Sequence, residues 1–266
     1  MEKVRWRGTW GIGDSMQALN ACHNYAHTNG FTVNLEMHWS HGENYFEHPK
    51  DPETIVERTN WIHTQYHNKE LVNLTHVFNS DLFPSGNVNP DKQKARFYFD
   101  SNAYDPNGGP PNDWIFKAQS FTEKKRKIVI WTPTYNSKPP RKWKRFLTND
   151  DWCGIIKLLS WEGWNTVELT YRTPIKDAFK QISEADFIVC YDGMWHLIAR
   201  NFAKPMLIPS WEGVTAYNTP QAVKLRNRES FLEFIGDGNE HFTRGLTHMK
   251  RKARGYEKII KKFYED

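Results

Sequence analysis

The feature that most constrains this chain is Phe187-Ile188-Val189-Cys190, four apolar residues in a row between two helical patterns. A strand apolar on both faces needs cover on both, which is the habit of parallel sheets with crossover helices. The rest of the second half fits that arrangement. Ile128-Val129-Ile130-Trp131 reads as a buried strand, 150–162 as a helix and Val167–Leu169 as a strand. A helix over Ile175–Ile182 precedes the Phe187 strand and another over Met194–Phe202 follows it, with Met206–Ile208 expected to end the sheet. Strands alternating with helices predict an α/β domain.

The first half opens in the same style. Val4–Thr9 reads as a strand, Trp10-Gly11-Ile12-Gly13-Asp14 as a loop and Ser15–Thr28 as a helix with Met16, Leu19, Ala21, Cys22 and Ala26 on a shared face. Gly30 fits a helix stop, Phe31–Met37 a strand, Pro52–His67 a helix and Val72–Phe78 a strand. Periodicity is lost over 79–121, where turn formers predict irregular, partly mobile structure. The expected division is an N-terminal domain over 1–121, a C-terminal domain over 122–247, and a basic amphipathic helix over 248–266 with Ile259, Ile260 and Phe263 on one side.

Composition sets bounds on function. Only 38% of residues are hydrophobic, but 15% are aromatic, with twelve Trp. Rings bury much area each, so the core is adequate and rings are left for a cleft or surface. A net charge of +5 mildly favours an anionic partner such as a nucleotide, a phosphorylated glycan or a nucleic acid. Three scattered cysteines without a CxxC pair signal neither a zinc knuckle nor a disulfide framework. The opening MEKVRWRGTW has no apolar core, and no window approaches eighteen apolar residues. The expectation is a cytoplasmic protein without membrane insertion (host cytoplasm for a viral one).

In open parallel sheets ligands sit beyond the carboxyl ends of strands, so the loops there are the places to search. The loop with Gly13 and Asp14 combines close backbone approach with a carboxylate at a helix N-terminus; a plain N-cap is the alternative for Asp14. Thr132, Thr134, Lys138, Arg141 and Lys142 gather hydroxyls and cations after one strand, suited to a diphosphate or simply to solvent. Asp192, Gly193, Met194, Trp195 and His196 follow the Phe187 strand, where a helix start would offer main-chain N–H groups to a phosphate. Ser210-Trp211-Glu212-Gly213 is a weaker fourth loop.

These motifs carry a resemblance. The stretch ISEADFIVCYDGMWHLIARNFAKPMLIPS resembles the nucleotide-sugar loop of heptosyltransferase-like (family 9-like) glycosyltransferases, through Asp192, His196, Leu197, Ala199, Lys204 and Pro205. GIGDSM resembles that family's IGD loop, and Lys138, Lys142 and Trp143 are similar to its strand–P–K–RW segment. Met194-Trp195 departs from the family's small-residue pair. The resemblance implies an α/β GT-B fold: two Rossmann-like domains with parallel sheets facing a central cleft. It implies inverting, metal-independent transfer from a nucleotide-diphosphate sugar, UDP- or ADP-linked, with no cofactor. Asp14 would be the base, and Gly13, the 132–142 cations and 192–196 the donor site. No D-x-D triplet occurs, in keeping with a metal-free site.

The resemblance assigns the acceptor to the N-terminal domain, with Trp10, His38 and His41 as candidate contacts. Eight of the eleven histidines (His23, His27, His38, His41, His48, His63, His67 and His76) fall within the first 76 residues. His63 and His67, at i, i+4 spacing, would share a helix face and suit a metal or a plain surface. Cations interleaved with rings at 92–98 and 117–127 suit a nucleic-acid backbone and unstacked bases, or a solvated face. Small chains rich in Asn, Trp and Tyr also look like phage enzymes that glycosylate hydroxymethylated DNA bases. That favours a DNA acceptor with a flipped base, against a glycan or lipopolysaccharide-type acceptor, or an inactive binding module.

Overall fold

The computed structural model describes residues 2–7, 12–39, 54–78, 116, 127–131, 149–161, 163–170, 173–190, 194–209, 222–225, 229, 247, 251, 254–255 and 258. The chain divides into two compact units, Met1–Phe116 with Ile260–Asp266, and Lys117–Ile259.

Unit 1 runs β1 (Glu2–Arg7), α1 (Ile12–Asn29), β2 (Val33–Trp39), α2 (Ile55–Tyr66) and β3 (Val72–Phe78). The three strands are parallel in the order β1-β2-β3. Two successive right-handed crossovers in one direction put α1 and α2 on the same face of this sheet. Val4 and Trp6, with Val33, Leu35, Met37 and Trp39, meet Ala18, Leu19, Cys22 and Ala26 of α1 and Val56 of α2 there. The alternate residues Lys3, Arg5, Asn34, Glu36 and Asn73 form a polar opposite face, where Asn73 Nδ2 donates to Asn34 Oδ1 at 3.0 Å.

Unit 2 runs β4 (Lys127–Trp131), α3 (Asn149–Trp161), β5 (Asn165–Leu169), α4 (Ile175–Glu184), β6 (Phe187–Val189), α5 (Met194–Asn201), β7 (Met206–Pro209) and β8 (Ala222–Leu225). Its parallel order is β5-β4-β6-β7-β8. From β4 the chain steps to β5, then back across β4 to β6, and this reversal puts α3 on one face and α4 and α5 on the other. Phe187, Ile188 and Val189 are buried, as their apolar run requires. On α4 the buried Ile175, Ala178, Phe179 and Ile182 follow the three-and-four spacing of one helix face. Phe179 meets Phe202 edge-on at 5.9 Å, tying α4 to the end of α5.

Several expectations need correction. Helix α1 begins at Ile12, so Gly13 and Asp14 lie in its first turn and not in a preceding loop. Glycine lowered the helical signal there, yet an acidic residue in a first turn is favoured by the helix dipole. Strand β2 starts two residues late, because Phe31 is used to close α1. Helix α2 starts at Ile55, not near Pro52, because Thr54 caps it: Glu57 N–H donates to Thr54 Oγ1 at 3.0 Å and Thr54 N–H to Glu57 Oε2 at 2.9 Å. Met206–Ile208 does not end the sheet; β8 pairs with β7 beyond it. Four residues at a sheet edge, one of them Lys224, carry too little alternation to stand out. Of the basic terminal helix, Arg251, Arg254 and Lys258 are helical and exposed; Ile259, Ile260 and Phe263 lie outside the described residues. So does the 79–121 segment apart from Phe116, which is buried.

Three helices close by one device. After α1, Gly30 N–H donates to His27 O and Phe31 N–H to Ala26 O; after α3, Gly163 and Trp164 do the same to Ser160 and Leu159. After α5, Ala203 N–H donates to Arg200 O and Lys204 N–H to Ala199 O. The pivotal residue is left-handed each time: Gly30 at φ 66°, Gly163 at 77° and Ala203 at 50°. Alanine bears a cost of about 1–2 kcal/mol in that conformation. Ala203→Gly is therefore expected to raise the melting temperature of unit 2 by about 2–4 °C per kcal/mol recovered. Gly30→Ala is expected to lower that of unit 1 through the backbone alone, since nothing lies within 4 Å of the added carbon. Thermal unfolding of both variants checks the pair of opposite signs.

Candidate active site

In unit 2 the strand order reverses around β4, whose neighbours are β5 and β6. The crevice outside the carboxyl ends of β4 and β6 is thus a topological switch point, where ligands of open α/β sheets bind. The register pairs Ile128 with Phe187, Val129 with Ile188 and Ile130 with Val189, so the two strands deliver the chain to the same edge. Residues 132–142 leave from β4, and 191–193 join β6 to α5. Thr132, Thr134, Lys138, Arg141, Lys142, Asp192 and Gly193 themselves lie outside the described residues.

Helix α5 is the described part of this site. It opens at Met194, so the N–H groups of its first turn sit directly after β6, at the switch point. Met194 is half-buried, whereas Trp195 and His196 are enclosed. Trp195 is a packing residue of the helix, and every residue from Trp195 to Asn201 is buried. His196 lies in the first turn, one turn before the equally buried Arg200, so one helix carries two enclosed polar groups at i, i+4. Cys190, just past β6, is buried, and its N–H donates to Leu207 O at 3.2 Å.

Lys204 has a structural task. Its Nζ donates to Ser183 O at 2.6 Å, in the last turn of α4, where helix carbonyls lack partners and a cation is favoured. Pro205 O then accepts from Ile188 N–H at 3.1 Å, seating the entry of β7 beside β6. The Lys-Pro pair is thus a clamp between helix and sheet at the end of the domain away from the switch point.

In unit 1, Gly13 and Asp14 follow β1 within the first turn of α1, at the carboxyl edge of that sheet. Gly13 is buried. His38 stands near the end of β2 and is also buried, with Nε2 3.2 Å from Glu36 Oε2. Glu36 is bridged by Lys3 as well, at 2.5 Å, and lies 3.4 Å from Arg5. Partial burial pushes the Glu36 carboxyl up, but the bonds from Lys3 and His38 outweigh it and hold it below the usual range. Trp10 and His41 lie outside the described residues. Among the described residues, no group of three or more His, Cys, Asp and Glu is placed to hold a metal ion. None of their helices is long and apolar enough to cross a membrane.

No protein-family model and no curated protein matches the chain. Solved structures do. The E. coli ADP-heptose lipopolysaccharide heptosyltransferase II aligns with a TM-score of 0.53 at 13% identity, over 96% of this chain and 100% of that one. The bacterial iron-containing dodecameric glycosyltransferase TibC from enterotoxigenic E. coli aligns with a TM-score of 0.51 at 11% identity, over 99% of this chain and 76% of that one. The fold is therefore that of the heptosyltransferase-like GT-B glycosyltransferases.

Lys204→Met is expected to remove one charge-assisted bond, costing about 1.5–3 kcal/mol, and to lower the melting temperature. Scanning calorimetry of the variant against the wild-type chain checks the loss.

Proposed function

We propose that this chain transfers a sugar from a nucleotide-diphosphate sugar to an acceptor hydroxyl. The observation that carries this reading is the switch point of unit 2, where helix α5 starts at Met194 directly after β6; in sequence Lys138, Arg141 and Lys142 follow β4, and Asp192 follows β6. The GT-B fold shared with two glycosyltransferases supports it. The diphosphate would lie across the first turn of α5, whose N–H groups and dipole favour an anion. Lys138, Arg141 and Lys142 would neutralise charge building up on the departing diphosphate, the step at which such donors contribute most. His196, enclosed in the first turn of α5, would fix the local shape of that cradle.

Asp14 would take the proton from the acceptor hydroxyl as the oxygen attacks the anomeric carbon, with inversion. A positioned base contributes roughly 10²–10⁴ in rate. Its place in the first turn of α1, beyond the end of β1, is the edge at which a parallel sheet presents ligand-binding groups. Gly13 beside it allows the acceptor close to the backbone, and Trp10, His38 and His41 would frame that acceptor.

For the acceptor we favour a sugar hydroxyl of a glycan or lipopolysaccharide-type molecule, in line with the heptosyltransferase that shares the fold. A hydroxymethylated base in DNA is the second reading, supported by the mixed cations and rings at 92–98 and 117–127. A panel of nucleotide sugars, offered with oligosaccharide acceptors and with hydroxymethylcytosine DNA, decides between them. Release of nucleotide diphosphate with mass gain on the glycan is expected; gain on the DNA would replace that reading, and no turnover with any pair would overturn the enzyme.

Two variants test the roles. Asp14→Asn is expected to lower turnover by about 10²–10⁴ with donor affinity retained; undiminished turnover would remove Asp14 as base. Lys138→Ala is expected to raise the donor dissociation constant and slow turnover. An unchanged affinity and rate would take Lys138 out of the site.

A further inference from the structure

We propose that His23, His63 and His67 form an acid-sensitive latch, which holds α1 to the C-terminal end of α2 and opens when the cluster takes up protons. The three side chains come from different parts of unit 1 and meet in its interior. His23 lies midway along α1, His63 in the last turn of α2, and His67 is the residue that caps α2. Their ring centroids are 4.5 Å apart for His23 and His67, 5.5 Å for His23 and His63, and 5.9 Å for His63 and His67. All three are buried, and the Phe116 ring lies edge-on to His67 at 5.4 Å.

Hydrogen bonds of the neutral rings make the connection. His67 Nε2–H donates to Asn20 Oδ1 of α1 at 2.8 Å. His23 places Nδ1 2.8 Å from Leu19 O and Nε2 2.9 Å from Asn68 O, the carbonyl that follows His67. A neutral imidazole has one N–H and donates to only one of those carbonyls. The second contact suits a charged ring, but enclosure opposes that charge more strongly. The Nδ1 atoms of His63 and His67 are enclosed without a hydrogen-bonding partner among the described residues. Enclosure opposes a proton on either more strongly than the backbone carbonyls of Val72 and Ile62 favour it on His63 and His67, and a second charge in the cluster would lie within one ring contact of the first.

The surroundings add repulsion. Lys69 follows His67 in the turn and repels charge on His63, while His23 and His63 repel charge on His67. His76 of β3 accepts from Trp39 Nε1–H on Nδ1 at 3.0 Å and donates from Nε2 to Asn60 Oδ1 at 2.8 Å, so its protonation breaks the Trp39 bond. The half-buried Arg58 of α2 is a further cation; His27 lies one turn beyond His23 on α1, and Glu70 is exposed in the turn. Burial pushes the Cys22 thiol and the Tyr66 phenol up to about 12, so both stay neutral in acid.

Burial pushes His23 down to about 3, and His63 and His76 down to about 4. His67 also lies well below its ordinary value of 6.5. Below about pH 6.5 the unfolded chain therefore binds protons that the folded unit refuses, and stability falls as pH falls, the loss being complete only below the folded values. Each such proton raises the unfolding constant about tenfold per pH unit. With three or four of them, unit 1 opens in a mildly acidic window where its carboxylates are still ionised. Helix α1 also carries Asp14, so opening would remove the base; that consequence rests on the proposed function, whereas the latch does not.

The test is urea unfolding of the full chain from pH 8 to pH 5, with amide hydrogen exchange reporting on α1 and α2. The unfolding constant of unit 1 is expected to rise about 10³-fold per pH unit below pH 6.5. His63→Gln and His67→Gln, which keep an amide nitrogen near the Nε2 position but do not titrate, should each flatten that slope by about tenfold per unit. Unchanged slopes in both variants would overturn the latch. Should the variants fail to fold at pH 8, the protons taken up on wild-type unfolding decide alone: more than one supports it, one or fewer sinks it. A chain that shows the acid response without transferring sugar would refute the functional reading and leave the latch standing.

Discussion

The reversal of strand order around β4 is the constraint on which unit 2 depends. Phe187-Ile188-Val189 is apolar on both faces and takes an interior position, between β4 and β7. To reach it the chain passes back across β4, and right-handed crossovers then place α3 opposite α4 and α5. The same step makes the shared carboxyl edge of β4 and β6 a topological switch point. Core packing and the candidate donor site are thus consequences of one topological move.

Unit 1 meets a different requirement. Its helices share one face of the sheet, and α1 is enclosed over most of its length: among its described residues from Ile12 to Ala26 none is exposed. Asn20, His23 and Asn24 are buried with the apolar residues, so the helix is not amphipathic in the simple sense that its spacing predicts. Buried polar groups of this kind need partners. His23 and Asn20 find theirs in Leu19 O, Asn68 O and His67. Those bonds fix how α2 ends against α1, a specificity that an apolar contact would not supply.

Much of this was legible in the sequence, for physical reasons that differ by element. Val72–Phe78 was bounded correctly because a turn precedes it and its apolar side alternates. Gly30 marked the end of α1 because a left-handed residue there is cheapest as glycine. Ala203, in the same role, gives no such signal, since only the fold obliges alanine to adopt that conformation. The capping pair Thr54 and Glu57 was present in the sequence as T-I-V-E and would have set the start of α2. The edge strand β8 was invisible because its pairing partner, not its own composition, makes it a strand. Of the site, the ordering of loops after strands could be read directly, whereas the enclosure of Trp195, His196 and His38 could not.

By itself the sequence determined the α/β class, most element positions and which loops follow which strands, because local periodicity and turn chemistry act over a few neighbouring residues. Its motifs also pointed to the fold, which two solved structures share at 13% and 11% identity. A parallel sheet asks for a pattern of buried positions more than for particular residues. Only the tertiary structure decided which face each helix covers, where the strand order reverses, and that His23 and His67, from different elements of the chain, share one buried cluster. Those are contacts between segments distant in the chain, and their energies depend on burial and on neighbours that no local stretch of sequence contains.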